Sequence, residues 1–595
     1  MRSWFFGILL VWGVYLFGQL STTGDVQLRW GESKNHYNYT ESLLNLNANW
    51  GRTISWLQFE FSDPPELGKR ISGLRKIRIE YRGEQAQIEV GDLYKIWGRG
   101  LVLNQLDDQA IDLDNGLTGV GFTYQTSRFQ GQILAGNQDI YKSSNLVLGF
   151  NDRTPNYTTH HSLFGVDLLK QFHGLSLGYS FLQSRERHPI PFNQYFQPDT
   201  LPLIHRLQGF RLETIGNRYD AYVEYVTKTT HETYHSPTFL AQDSLVSEGR
   251  GFFANVNFYP GSWSFSLDYK NYRFAQLEPL SRWDFVNNYG GRIDFQKPPT
   301  AIFEHSTHLL NRITHQVDFA DEVGYQVEFL GPLFGSTTLL LHYAQASRTA
   351  SWWMDTLSVW FPEKNDPILP LTDPAASPFR EIYAEMEGYA NDDAFHFIIA
   401  GAYTKDIPTL GWHVVTDTSE RLQYELIEGF TYPTFFEYYF SNGWSVELKA
   451  EYQILTKGLK FKETQRGVVV VDSLLSSFVD DQGHSADYQV NTFFSLGIGK
   501  SPSWSVALII DAISAEEGIS AFMSNQENPL ESLMSHIMSI DRKWISLELL
   551  LNLTPTHRLT LMYGSQQGGL VCSNGVCRII QPFEDGFKLT LSAIF

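Results

Sequence analysis

Apolar and polar residues alternate one by one along much of this chain. In GSWSFSLDYKNY, Trp263, Phe265, Leu267 and Tyr269 fall on one side, and Ser262, Ser264, Ser266, Asp268 and Lys270 on the other. NGWSVELKAEYQ sets Trp444, Val446, Leu448, Ala450 and Tyr452 against Ser445, Glu447, Lys449 and Glu451. PSWSVALIID and HRLTLMYG keep the habit. A period of two predicts strands with one apolar and one polar face. The closing GFKLTLSAIF repeats it through Phe587, Leu589, Leu591, Ala593 and Phe595. Chain termini usually fray, so a strand running to the last residue implies a partner that holds it.

The connections alternate as well. Tight turns are expected at His173-Gly174, Gly216-Asn217, Pro260-Gly261, Gly331–Gly335, Asn391–Asp393, Asn442-Gly443, Lys500–Ser503 and Thr554–His557. Between them lie long polar stretches such as Ser184–Arg206, Gln276–Asp321, Arg348–Pro378, Thr456–Tyr488 and Ser514–Asp541. Short and long in alternation predict an all-β fold, a single large transmembrane antiparallel β-barrel of about 22–24 strands with short periplasmic turns and long extracellular loops. Trp at the start of strand after strand suits the membrane–water interface, and a soluble sandwich has no reason for it. A barrel has no free edge, so the last strand must pair with the first.

Residues 1–18 hold a positive start and the apolar run WFFGILLVWGVYLFG, which reads as a signal peptide, leaving 19–595 as the barrel. Beyond it there is no run of eighteen apolar residues to form a spanning helix. The net charge of −20 argues against a nucleic-acid partner, which needs clustered Lys and Arg. Aromatic residues at 15% and charged residues at 18% fit a chain whose outer face meets lipid. The expected location is the outer membrane of a Gram-negative bacterium. The expected partners are its lipid, the barrel-assembly machinery, and a surface or periplasmic protein.

The search for reactive chemistry yields little, and neither catalytic residues, a cofactor nor a metal is assigned. GLSLG (Gly174–Gly178) has the G-x-S-x-G spacing, but Ser176 falls in an alternating strand, whereas a nucleophile elbow needs a strand–turn–helix. DLDNG (Asp112–Gly116) is half a calcium loop without the closing Glu, and reads as a solvated acidic loop. His160 and His161 adjoin on opposite strand faces. HSTHLLNRITH (His305–His315) gathers three histidines in the longest loop, where a transition-metal site is conceivable. Cys572 and Cys577, the only cysteines, flank Asn574-Gly575, a pair suited to a tight hairpin turn. In an exported protein such a pair is expected to form a local disulfide in preference to a zinc site, which lacks further ligands nearby. Gly98 and Gly100 around Arg99 mark close backbone packing or a bend where the wall turns into the lumen, or a ligand-contacting loop.

Three segments carry a resemblance. GDLYKIWGRGLVL (Gly91–Leu103) and GGLVCSNGVCR (Gly568–Arg578) resemble segments of uncharacterised outer-membrane β-barrel proteins of Bacteroidota and related phyla. That resemblance implies fold and location and no activity. The last strand, with Phe587, Leu589, Leu591 and a final Phe595, resembles the C-terminal signal that the barrel-assembly machinery recognises. Strand parity puts Asp268, Lys270, Glu447, Lys449 and Glu451 toward a lumen too wide for side chains to fill. The functional expectation is a porin-like passive or loosely selective channel for small hydrophilic solutes, with Gln276–Asp321 folding inward to set the constriction. The alternative is a non-transporting barrel that anchors or scaffolds a cell-surface or secretion complex. No energised receptor with a large N-terminal plug is expected, because strand patterns begin within a few tens of residues of Gln19.

Overall fold

The computed structural model describes residues 20–34, 37–143, 153–190, 199–235, 242–279, 293–355, 357–363, 366–479, 484–517, 543–573 and 576–595. Twenty-four antiparallel strands close into one barrel. They are β1 (Leu20–Glu32), β2 (Asn38–Trp50), β3 (Thr53–Ser62), β4 (Ile71–Arg82), β5 (Ala86–Leu93), β6 (Leu117–Gln125), β7 (Phe129–Lys142) and β8 (Tyr157–Phe172). The wall continues through β9 (Leu175–Ile190), β10 (Asp199–Ile215), β11 (Tyr219–His235), β12 (Gln242–Phe258), β13 (Ser264–Arg273), β14 (Asp321–Phe334), β15 (Thr337–Ser347) and β16 (Phe379–Ala390). It ends with β17 (Phe395–Asp406), β18 (Ser419–Tyr439), β19 (Trp444–Gln465), β20 (Gln489–Lys500), β21 (Trp504–Ile513), β22 (Lys543–Thr554), β23 (His557–Gln566) and β24 (Phe583–Ile594).

Closure runs from Asp25 opposite Ile594 to Glu32 opposite Phe587. Gly24 and Phe595 exchange backbone hydrogen bonds of 2.8 and 2.9 Å, so the chain is paired to its last residue. That is the partner the terminal strand required. Gly24 has to be small, because a Cβ there would sit 2.7 Å from the Phe595 ring.

The two rims are unequal. At the turn end the connections are as short as 51–52 and 173–174 and none exceeds 259–263. At the loop end they range from 33–37 up to 274–320. Several strands run further than their sequence pattern indicates. β9 and β10 extend into the stretch Ser184–Arg206, and β19 continues to Gln465, past the expected loop start at Thr456. There the long β18–β19 hairpin leaves the barrel and carries the strands 410–415 and 468–476 on its two sides. A small core including Trp352, Trp360, Leu410, Leu422 and Leu426 packs this loop-end sheet.

Apolar residues face outward around the wall. Leu28, Ile79, Val120, Phe210, Leu341, Tyr432, Leu508 and Leu547 are all exposed there. Paired residues across an antiparallel ladder share a face, so Val120 opposite Val90 and Tyr452 opposite Tyr432 carry one continuous apolar belt. The main buried cluster lies inside the barrel, between the wall and chain folded into the lumen. Among the described residues no helix is long and apolar enough to cross a membrane.

Candidate functional site

The lumen is occupied by two of the protein's own loop-end connections. The first, 94–116, follows β5. Trp97, Leu101, Val102 and Leu103 are fully buried against Leu134, Leu163, Leu182, Leu207 and Val226 on the inner wall. This accounts for an apolar run with no alternation: every side of it meets protein. Trp97 donates from Nε1 to Gln132 Oε1 at 3.1 Å, deep in the barrel near the turn end. At the tip, Gly98 (φ 59°) and Gly100 (φ 87°) adopt left-handed backbone that favours glycine. A Cβ on Gly98 would meet Glu224 Oε2 at 2.5 Å, and one on Gly100 would meet the Lys297 carbonyl at the same distance. The bend allows the Arg99 N–H to donate to Glu224 Oε2 at 2.9 Å.

The DLDNG stretch belongs to this loop and is not the solvated acidic loop expected. Asp114 pairs with Lys76 and Arg75 of β4, and Arg75 also holds Asp107 at 3.0 Å. Asn115 is fully buried, donating to the carbonyls of Asn104 (2.9 Å) and Asp294 (3.1 Å) and accepting from the Leu106 N–H (2.6 Å).

The second connection, 274–320, is tied to the wall by charge. It contains the short helix α1 (His308–Asn311), whose His308 and Leu309 N–H groups donate to Glu451 of β19 at 2.8 and 2.7 Å. The three histidines separate. His305 Nε2 lies 2.9 Å from Glu381 of β16, and His308 Nε2 lies 3.1 Å from Asp511 of β21, which also holds Arg312. His315 sits 3.0 Å from Asp406 of β17 and 3.4 Å from Glu322 of β14, its ring stacked on Phe379. Among the described residues no three His, Cys, Asp or Glu side chains converge as metal ligands. Burial alone lowers the His315 pKa, but Asp406 and Glu322 outweigh it and raise the value to about 9. Buried charges are costly unless paired, and here wall carboxylates meet Arg312 and His315 of the loop.

The two connections also hold each other. The Asn104 N–H donates to the Phe295 carbonyl at 2.8 Å, Gln296 Nε2 to the Leu101 carbonyl at 2.7 Å, and Asn104 Nδ2 to the Lys297 carbonyl at 2.9 Å. Asp294 anchors the seam to the wall through Lys142, Thr159 (2.9 Å) and His161 (3.5 Å). Burial raises its pKa, and Lys142 and His161 reverse that and hold it well below the usual carboxylate range.

The five inner-wall charges named from strand parity all lie opposite the apolar belt, with different surroundings. Lys270 is fully buried in an ion pair with Glu322 at 2.5 Å and a hydrogen bond to the Thr300 carbonyl. Glu451 caps α1, and Asp268 accepts from Asn255 and Gln326. Glu447 and Lys449 pair with each other at 2.9 Å and are more open. Chain of the connection expected to fold inward, Gln276–Asp321, covers Lys270 and Glu451. At the terminal strand, Phe587, Leu589, Leu591 and Phe595 line the β24–β1 seam. Cys572 stands directly opposite Cys577 in the hairpin 569–580, while their side chains lie outside the described residues. Ser176 is ladder-paired opposite Gln171, one pair from the tight turn 173–174, with strand rather than helix following it. His160 is exposed beside Asp139, and His161 is buried toward the lumen. The signal-peptide segment 1–18 lies outside the described residues. Sequence reasoning marked the Gly98–Gly100 bend, with the wall turning into the lumen as one reading, and missed the extent of the connection 94–116, for which the unalternating LVL run was the available signal.

Residues 20–358 match the model of a family of unknown function, DUF6029. The chain belongs to that family. The matched region spans β1 to β15 and both in-folded connections. Among curated proteins none matches. Solved structures similar to this chain include the copper transporter OprC (10% identity, 97% of this chain and 81% of that one, TM-score 0.42). The siderophore receptor PirA from Acinetobacter baumannii is also similar (8%, 97% and 80%, TM-score 0.44). So is the FrpB iron transporter from Neisseria meningitidis, F5-1 variant (9%, 97% and 83%, TM-score 0.43).

Proposed function

We propose that this protein is an outer-membrane transporter of Gram-negative bacteria whose passage is closed by its own loops and opens when they release. The observation that carries the reading is the charged seam between 274–320 and the inner wall. A purely structural filling needs only apolar contacts, such as those around Trp97. Here the second loop is held through His305, His308, Arg312 and His315 by wall carboxylates on four strands. Such contacts dissolve when either partner changes charge or finds a competitor, so they suit a reversible closure. The turn end is then periplasmic and the loop end extracellular, with the apolar belt in lipid. Small hydrophilic solutes are the cargo in this reading, and passage is gated rather than permanently open.

The test is swelling of proteoliposomes in isosmotic small solutes. Wild-type protein should swell them slowly, and a variant with 298–316 replaced by a short Gly-Ser bridge should do so at least tenfold faster. Equal rates, with both proteins folded, would reject the gate. A second reading, a barrel that anchors a surface complex without transport, draws support from the loop-end sheet. Its strand 468–476 leaves Val468, Val469, Val470 and Val471 exposed.

A further inference from the structure

Below the meeting point of the two loops lies a cavity of about 210 Å³, between the loops and β13–β14. Arg99 and Lys297 contribute positive charge to its lining, and Asp268 and Glu304 negative charge. It sits toward the turn end: Asp268 is four residues from the start of β13, and Arg99 reaches the level of Tyr222 near the start of β11. Its volume is below the roughly 300–1,000 Å³ of pockets for drug-sized ligands and suits a smaller solute.

The charges in this cavity are arranged unlike those of the seam above it. Arg99 is exposed, its guanidinium 5.1 Å from the centre of the Tyr222 ring, and among the described residues no carboxylate lies within ion-pair distance of it. Glu304 is likewise exposed without an ion pair among those residues, and Asp268 is held only by the neutral amides of Asn255 and Gln326. Arg99, Asp268 and Glu304 thus line one small space, and among the described residues no ion pair joins them. The backbone is built to keep Arg99 there, since both flanking glycines are left-handed and neither has room for a side chain.

We infer that this cavity binds a small zwitterion of the α-amino-acid class. Arg99 takes the carboxylate, and Asp268 and Glu304 take the ammonium group. A guanidinium presents parallel N–H groups that match a carboxylate, and an ammonium donates three bonds to separate acceptors. A ligand with one charge would leave the opposite set unsatisfied, so both ends contribute to selection. As cargo recognition the inference rests on the gated-transport reading; as binding it stands alone.

The experiment is isothermal titration calorimetry of the full barrel in detergent with L-alanine, propionate and ethylamine. L-alanine should bind, with propionate and ethylamine at least tenfold weaker. Arg99→Gln should weaken alanine at least tenfold, and Asp268→Asn, which keeps the side-chain shape, should weaken alanine and ethylamine but not propionate. No alanine binding, equal binding of the single-charge probes, or indifference to both substitutions would overturn the site. Proteoliposome swelling separates the two readings. If shortening 298–316 opens the barrel while alanine fails to bind, the site is wrong and the gate stands; if alanine binds as stated and shortening changes nothing, the reverse holds.

Discussion

Replacing Glu451 by Ala isolates one contact of the closure. Its carboxylate accepts the first free N–H groups of α1, from His308 at 2.8 Å and Leu309 at 2.7 Å. Leu309 is fully buried, so its N–H finds no water when the carboxylate is removed. An unsatisfied buried donor costs roughly 1–3 kcal/mol. The His308 N–H is nearer solvent and adds less. A penalty of about 2 kcal/mol shifts the balance between docked and released loop by about thirty-fold. Glu451→Gln keeps an acceptor and should shift it far less. Limited tryptic cleavage after Arg312 reads the released state directly, because that residue is held against Asp511 when the loop is docked. When docking is fast relative to cleavage, the initial rate follows the released population. The Ala variant should be cut about thirty-fold faster than wild type, and the Gln variant only a few-fold. Equal rates in all three, with heat-modifiable gel mobility showing folded barrels, would refute the role given to Glu451.

Four shorter predictions follow from the same structure. His315, raised to about 9, favours the docked loop while protonated, so that contribution is complete below its ordinary value near 6.5 and is lost as pH rises through about 9; tryptic release should increase over that window, and His315→Gln should remove this pH dependence. Phe595 is largely exposed, so Phe595→Asp should cost little folded stability yet sharply reduce outer-membrane levels if the terminus is an assembly signal; normal levels would show that it is not. Leu267→Arg on the lipid face should cost about 2–4 kcal/mol in urea unfolding, and Ser266→Arg on the inner face much less; equal costs would mean that the faces are inverted. Cys572 and Cys577, paired opposite one another in the register of the strands 569–573 and 576–580, should resist alkylation until reduced, and mass spectrometry of the peptide checks this.

The wall was readable from the sequence because each strand obeys a local rule. Residues such as Leu267 and Ser266 meet different media on the two faces, so composition alternates with the backbone itself. Strand ends were less readable where β9, β10 and β19 continue into stretches such as Ser184–Arg206 and Thr456–Gln465, which are rich in polar and charged residues. The closure left a weaker trace. Leu101, Val102 and Leu103 are buried on all sides, which erases any period, and their partners on β7 to β11 are far away in sequence. HSTHLLNRITH was legible as a histidine cluster but suggested shared ligands. Only the fold shows that His305, His308 and His315 point at carboxylates on different strands, whose sequence distances range from Glu322 to Asp511. Arg99 was singled out by its glycines, and the Tyr222 and Glu224 that place it gave no signal in the sequence.

A wide barrel held shut by releasable chain has a distinct electrical signature, which single-channel current in a planar bilayer records. Wild-type protein should stay near the baseline at neutral pH with brief openings of large conductance. The variant with 298–316 replaced by a Gly-Ser bridge should stay open at that same large conductance. A wild-type protein that is steadily open from the outset, or a shortened variant as silent as wild type, would mean that these loops do not close the barrel.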